Sequence, residues 1–109
     1  GDEHMMNWYE EEMKRRDDES LRYVMADKKG RWFMMRLLDA ARINEPTFAK
    51  SALFSAYNEG RRAVGIEYVK KLTQDTAHIE LKQLAEKEYT EIKERLIEEE
   101  RSMHYGKHI

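Results

Sequence analysis

Residues 31–43, RWFMMRLLDAARI, spell a helix with almost no polar side. Trp32, Phe33, Met34, Met35, Leu37 and Leu38 cover most of its circumference, and Arg36, Asp39 and Arg42 leave only a narrow polar strip. Such a helix is stable in water only inside a core or between subunits. It is therefore expected to be the hub against which the rest of the chain packs. With 109 residues the chain is one domain by default and can bury a single modest core. So short a chain has difficulty surrounding one helix completely, which leaves an oligomer interface open beside plain core.

The surroundings of this segment are highly charged. Asp, Glu, Lys and Arg make up 39% of the chain and mean hydropathy is -0.94, values that point to long exposed helices. Seven methionines and a normal aromatic content oppose disorder. The expected fold is all-α, a small bundle of four to five helices with a long C-terminal one. Residues 4–27 read as one broken helix or two consecutive ones. Met6, Tyr9 and Met13 share a face, and Asp17 or Asp18 would cap a second helix burying Leu21, Val24 and Met25. Gly30 suits a left-handed helix end.

After the central helix, NEPTF (residues 44–48) is the clearest break, because Pro46 disfavours helix at Glu45. Phe48 is expected to fold back onto the core, and Thr47 or Ser51 to cap the next helix. Residues 51–73 repeat Leu53, Tyr57, Val64, Tyr68 and Leu72 at helical spacing. Gly60 and Gly65 each cost a helix interior about 1 kcal/mol relative to alanine. Close helix packing would offset that, with Ala56, Gly60 and Ala63 or Val64 as a shallow stripe receiving Trp32 or Phe33; a kink near Gly60 is the alternative. Residues 75–103 form a long charged helix, capped by Asp75 or Thr76. Its apolar face is Ala77, Leu81, Leu84, Ala85, Tyr89, Ile92 and Leu96, and residues 104–109 are a frayed or partner-bound tail. Charge pairs four apart, such as Lys87 with Glu91 and Glu91 with Arg95, would support it by roughly 0.2–0.5 kcal/mol each. The two long helices are expected to form an antiparallel hairpin with residues 31–43 lying across it.

The chemistry sought is mostly missing. There is no cysteine, hence no disulfide or thiolate zinc site, which fits a reducing compartment. No apolar run reaches membrane-spanning length, and the N-terminus is acidic rather than basic as a secretory signal would be. HExxH, P-loop and GxSxG motifs are absent, so no enzyme activity, metal or cofactor is expected. Glu100, His104 and His108 are spaced by four and could share a zinc-binding face, but Gly106 and the terminal position favour a solvated tail.

Charge is unevenly spread. Residues 1–12 carry five acids and no Lys or Arg, residues 13–72 balance to +6, and residues 73–109 to -3. The basic clusters are Lys14, Arg15 and Arg16; Lys28, Lys29 and Arg31; Arg61 and Arg62; Lys70 and Lys71. Gathered on one face they could track phosphates, with Tyr23 or Trp32 stacking on bases. An isoelectric point of about 6.1 argues against a strong nucleic-acid binder, and pairing with the chain's own glutamates is the commoner fate of such charges.

Residues 24–72 also carry a resemblance. GRWFMMRLL, RINEPTF and AYNEGRRAVGIEYVKKL resemble a small family encoded by tailed bacteriophages, the Bordetella-phage-type virion-cluster proteins. Gly30, Arg31, Phe33, Arg36, Leu37, Leu38, Phe48, Asn58, Glu59, Gly60, Arg61, Arg62, Val64 and Gly65 match its pattern, while Trp32 stands where a second arginine is usual. The resemblance implies a helical phage protein from the head and tail gene neighbourhood and brings no catalytic residue with it. It places Asn58, Glu59 and Arg62 near a close helix contact, where Glu59 would pair with Arg31 or Arg36 and fix register more than stability.

The expected role is a non-catalytic structural or assembly protein of a tailed-phage virion, present in host cytoplasm during assembly. Its partners would be other virion proteins, itself, or both. Met34, Met35, Tyr89, Ile92 and Leu96 are the candidate interface residues. Acidic N-terminus meeting basic middle would favour head-to-tail contacts. The alternatives are a nucleic-acid-binding packaging accessory, similar in role to a small terminase subunit, and a regulatory interaction protein absent from the particle.

Overall fold

The computed structural model describes the backbone of residues 2–107 and the side chains of residues 7–105. It contains four helices, α1 (Asp2–Ala26), α2 (Lys28–Ala41), α3 (Ala52–Leu72) and α4 (Thr76–Lys107), and no strand among the described residues.

The first helix is unbroken, against the expectation of an interruption near Asp17 and Asp18. Neither aspartate is a cap. Asp18 instead turns its carboxylate across to α4, and Arg22 one turn later holds its second oxygen at 3.0 Å. The break comes at Asp27, extended at φ -102° and ψ 136°, whose side chain accepts the Lys29 N–H at 2.9 Å and so caps α2. Gly30 is therefore not a helix end. It lies in the first turn of α2, where a Cβ would run into the carbonyl of Val24 at the end of α1. Its missing side chain lets two helices meet through a single linking residue.

The second helix stops at Ala41, two residues earlier than its apolar run suggests. Arg42 takes the left-handed conformation (φ 51°, ψ 50°), and its N–H reaches the Asp39 carbonyl at 3.1 Å. Ser51 caps α3 through the Phe54 N–H, as expected. Phe48 does not return to the core and stands exposed in the connecting loop. Asp75 caps α4 by accepting the His78 N–H at 2.9 Å. Residues 104–107 belong to α4 rather than to a tail, and His4, Met5, Met6 and His108 lie outside the described side chains.

The core is small and drawn from all four helices: Leu21 and Met25, Met34, Leu72, Ala85, with Met35, Leu38, Tyr68 and Leu81 packed around them. The second helix packs on each of the other three, so it is the hub its composition implies. The third and fourth helices touch each other less than either touches α2. The arrangement is three helices around one rather than a hairpin crossed by a third.

The molecule is long, 76 × 40 × 20 Å, with a radius of gyration of 19.1 Å. A compact chain of this length would have about 13 Å. Two arms account for the difference. The α3–α4 turn meets α1 at Asp18, so residues N-terminal to it run past that turn. Among the described residues, the body's last hydrogen bonds to α4 are at Glu88 and Tyr89, so most of α4 beyond them runs past the α1–α2 junction at the opposite end.

Candidate functional site

Three polar clusters bind the body together, and each fills a hydrogen-bonding need created by burial. Arg31, in the first turn of α2, grips Glu88 of α4 with Nε at 2.6 Å and Nη2 at 3.2 Å, and its Nη1 donates to the Met25 carbonyl of α1 at 2.9 Å. The two side chains are 11% and 16% exposed. The guanidinium hydrogen bonds hold the Glu88 carboxyl below its usual range, and the carboxylate in turn raises Arg31. One arginine thus locks three helices in register.

Tyr89 is the second cluster. Its buried hydroxyl donates to the Asp39 carboxylate and accepts from Arg36 Nη1 at 3.2 Å. Burial pushes the phenol pKa up, and the Asp39 hydrogen bond adds to this. Trp32 meets the ring edge-on at 5.1 Å, and Lys93 sits over it at 4.2 Å. In the third cluster, buried His78 has Asp75 2.7 Å from Nδ1 and Asp18 2.9 Å from Nε2. Asp75 is lowered from the ordinary value chiefly by the His78 backbone N–H, then by its ring.

These clusters redraw the expected polar contacts. Glu59 is exposed and pairs with neither Arg31 nor Arg36; Arg31 takes Glu88, and Arg36 takes Tyr89 and Asp39. Arg62 donates to the Ile43 carbonyl at 2.9 Å. The close helix contact is real but belongs to one glycine. A Cβ on Gly65 would stand 2.5 Å from the Ala41 Cβ and 2.9 Å from Ile43, whereas Gly60 has open space around it. Ala56 and Val64 are exposed, and Trp32 points to Tyr89 on α4 rather than into α3. Of the candidate interface residues, Met34 and Tyr89 are core, Met35 and Ile92 are half-buried, and Leu96 is exposed on the α4 arm.

The basic residues do not form one patch. Arg15 and Arg16 are both tied to Glu12, whose carboxyl they hold down to about 2. Lys14 lies on the α1 arm, Lys28 and Lys29 open α2, and Lys70 and Lys71 lie where α3 ends. Lys71 rests 5.3 Å from the Tyr68 ring. Among the described residues, no group of three His, Cys, Asp or Glu could hold a metal ion; Glu100 and His104 are 3.9 Å apart. No described helix is long and apolar enough to cross a membrane.

What stands open is one side of the hub. Phe33, Leu37 and Ala40 of α2 face away from α4 and are exposed. Together with Tyr57, Val64 and Tyr68 of α3 they floor an apolar trough. Asp17 and Lys71 border it near α1; Arg42 and Arg61 border it at the other end. Arg61 lies over the Tyr57 ring at 5.1 Å and bonds Asn58, while its Nε is buried without a hydrogen-bond partner among the described residues.

Residues 21–86, more than half of the chain and nearly the whole packed body, match the family model described as Bbp19-like phage protein. The chain belongs to the Bbp19-like phage protein family. No curated protein and no solved structure gives a significant match. The part of this Bbp19-like protein outside the match, residues 1–20 and 87–109, includes both arms. Most of the matched part of the phage protein serves the body: Gly30, Arg31 and Gly65 make its closest helix contacts, while Phe33 and Val64 line the trough.

Sequence reading missed Glu88 and Asp18 as partners. Asp75 and His78, three apart at a helix start, were the one local signal. Glu88 looks like any other glutamate of α4, and only its facing of Arg31 distinguishes it.

Proposed function

We propose that this Bbp19-like phage protein is a non-catalytic structural or assembly component of the tailed-phage particle, acting through helix-mediated protein contacts and in several copies. The observation that carries this reading is the trough: the hub helix packs against the other three helices, yet its apolar Phe33, Leu37 and Ala40 are left to solvent. An exposed contiguous apolar surface rimmed by charge is what a protein contact requires. The same geometry gives no support to catalysis. His78, the histidine with carboxylate neighbours on both ring nitrogens, is buried and closed to a substrate.

Mass spectrometry of purified particles tests the reading. The protein is expected at stoichiometric copy number in the virion. Its presence in infected cells together with absence from particles would defeat the structural role and favour a regulator of infection. Retention on DNA that collapses with added salt would instead favour a packaging accessory.

A further inference from the structure

The trough lies on the side of the hub that the protein's own arms cannot reach. The α1 arm leaves the body at Asp18 as one unbroken helix, so Trp8 and Tyr9 are carried about 15 Å past the α3–α4 turn and away from Tyr57 and Val64. Trp8, Tyr9 and Met13 are exposed on this arm, beside exposed Glu10 and Glu11. It is therefore an acidic amphipathic helix with nothing packed on its apolar residues. The trough is the complementary object, apolar along its floor and cationic at its far end. There Arg61, among the described residues, bonds the neutral oxygen of Asn58 and no carboxylate, while Arg42 beside it is shared with Glu45 at 3.5 Å. Burial of the Arg61 Nε without a hydrogen bond marks the rim as a place where an acceptor is wanted.

We infer that the α2–α3 trough is the docking site for the α1 arm of a second copy of this chain, so that copies join head to tail. Trp8 and Tyr9 of one copy lie on Leu37, Tyr57 and Val64 of the next, and Glu10 and Glu11 approach Arg61 and Arg42. The contact is heterologous, with arm and trough on different parts of each copy, so every copy added presents a fresh arm and a fresh trough. One face of about three turns of helix falls short of the roughly 800 Å² per partner of a standard stable interface. Association is therefore concentration-dependent and weakens with salt. The inference deepens the reading of the protein as one that works through protein contacts, and its test does not involve the virion.

Sedimentation of the full chain, with Trp8→Glu and Val64→Glu variants, decides it. Both positions are exposed, and far-UV circular dichroism confirms that each variant keeps its helix content; Tyr9→Ser and Tyr57→Ser serve as gentler replacements. The wild type is expected to grow with concentration beyond the dimer or to close into a ring. Each variant alone is expected to be at least tenfold weaker in association. Mixed, they should form a one-to-one dimer and stop, because one retains a working trough and the other a working arm. A wild type that stays monomeric up to millimolar concentration overturns the proposal. So does self-association that survives either variant, or a mixture that remains monomeric. Detection of the protein in virions would be untouched by any of these results, and then another virion protein would occupy the trough.

Discussion

Met25, Leu72 and Ala85 in the body keep 1% of their surface, whereas Trp8, Tyr9, Leu96 and Met103 on the two arms keep between 51% and 65%. Both regions are helix and both are rich in charge. They differ in what their charges do. In the body, Arg31 and Glu88 join helices 57 positions apart in sequence, and Tyr89 joins α4 to Asp39 across 50 positions. On the arms the pairs stay within one helix: Glu12 with Arg15 and Arg16, Glu98 with Arg101. An arm can therefore gain or lose a charge pair without the fold registering it, and its shape is kept by local helix formation alone. The body is held by contacts that no single helix could make.

The largest test of this difference is truncation of apolar side chains. Leu72→Ala is expected to destabilise the protein by about 3–5 kcal/mol, since a fully buried leucine leaves a cavity. Leu96→Ala on the arm should stay within about 0.5 kcal/mol. Urea unfolding of both variants checks the pair, and similar losses at the two sites would mean that the arm is packed in solution.

The charge pairs give the next contrast. Glu88→Ala leaves Arg31 enclosed without its partner and is expected to cost about 3 kcal/mol. Glu12→Ala, which strips two arginines of their partner on the exposed arm, should leave the melting temperature unmoved within error.

The glycines sharpen the comparison inside α3. Gly65→Ala forces a Cβ against Ala41 and Ile43 and should cost about 1–3 kcal/mol. Gly60→Ala should instead stabilise by about 0.5–1 kcal/mol, because the position is open and helical. Thermal melts moving in opposite directions would confirm that the close approach belongs to Gly65.

The smallest effect is that of pH. Glu88 and Asp75 titrate below their unfolded values in the folded protein, Glu88 through Arg31 and Asp75 through the His78 N–H. Their stabilisation is complete above the unfolded values, 4.5 for Glu and 3.8 for Asp, and is lost as pH falls through the lower folded ones. The melting temperature should therefore decline below about pH 4, and Glu88→Gln should make that decline shallower.

Much of this was legible from residue order. The break at Pro46, the caps at Ser51 and Asp75, and the long last helix all rest on chemistry within a few residues of each site. Asp27 was missed as a cap because Gly30 offered a more familiar reason for a helix to end. Arg42 was missed because arginine gives no advance sign of a left-handed backbone. Gly60 and Gly65 looked alike for a plainer reason. Five positions separate them on one helix, and sequence does not say which side of that helix faces the hub.

The sequence by itself determined that the chain is helical, that residues 31–43 are its centre, and that the ends are charged and thinly apolar. Those properties depend on side-chain period and composition, which act over one or two turns. Only the tertiary structure decided how each helix is rotated about its own axis and where it crosses the hub. That rotation gave Glu88 rather than Glu59 to Arg31 and brought Gly65 rather than Gly60 against Ala41. It also left Phe33 and Leu37 facing water. An apolar helix can be covered from any direction at nearly the same gain, so its own residues do not say which side will stay open. The three helices packed around it do.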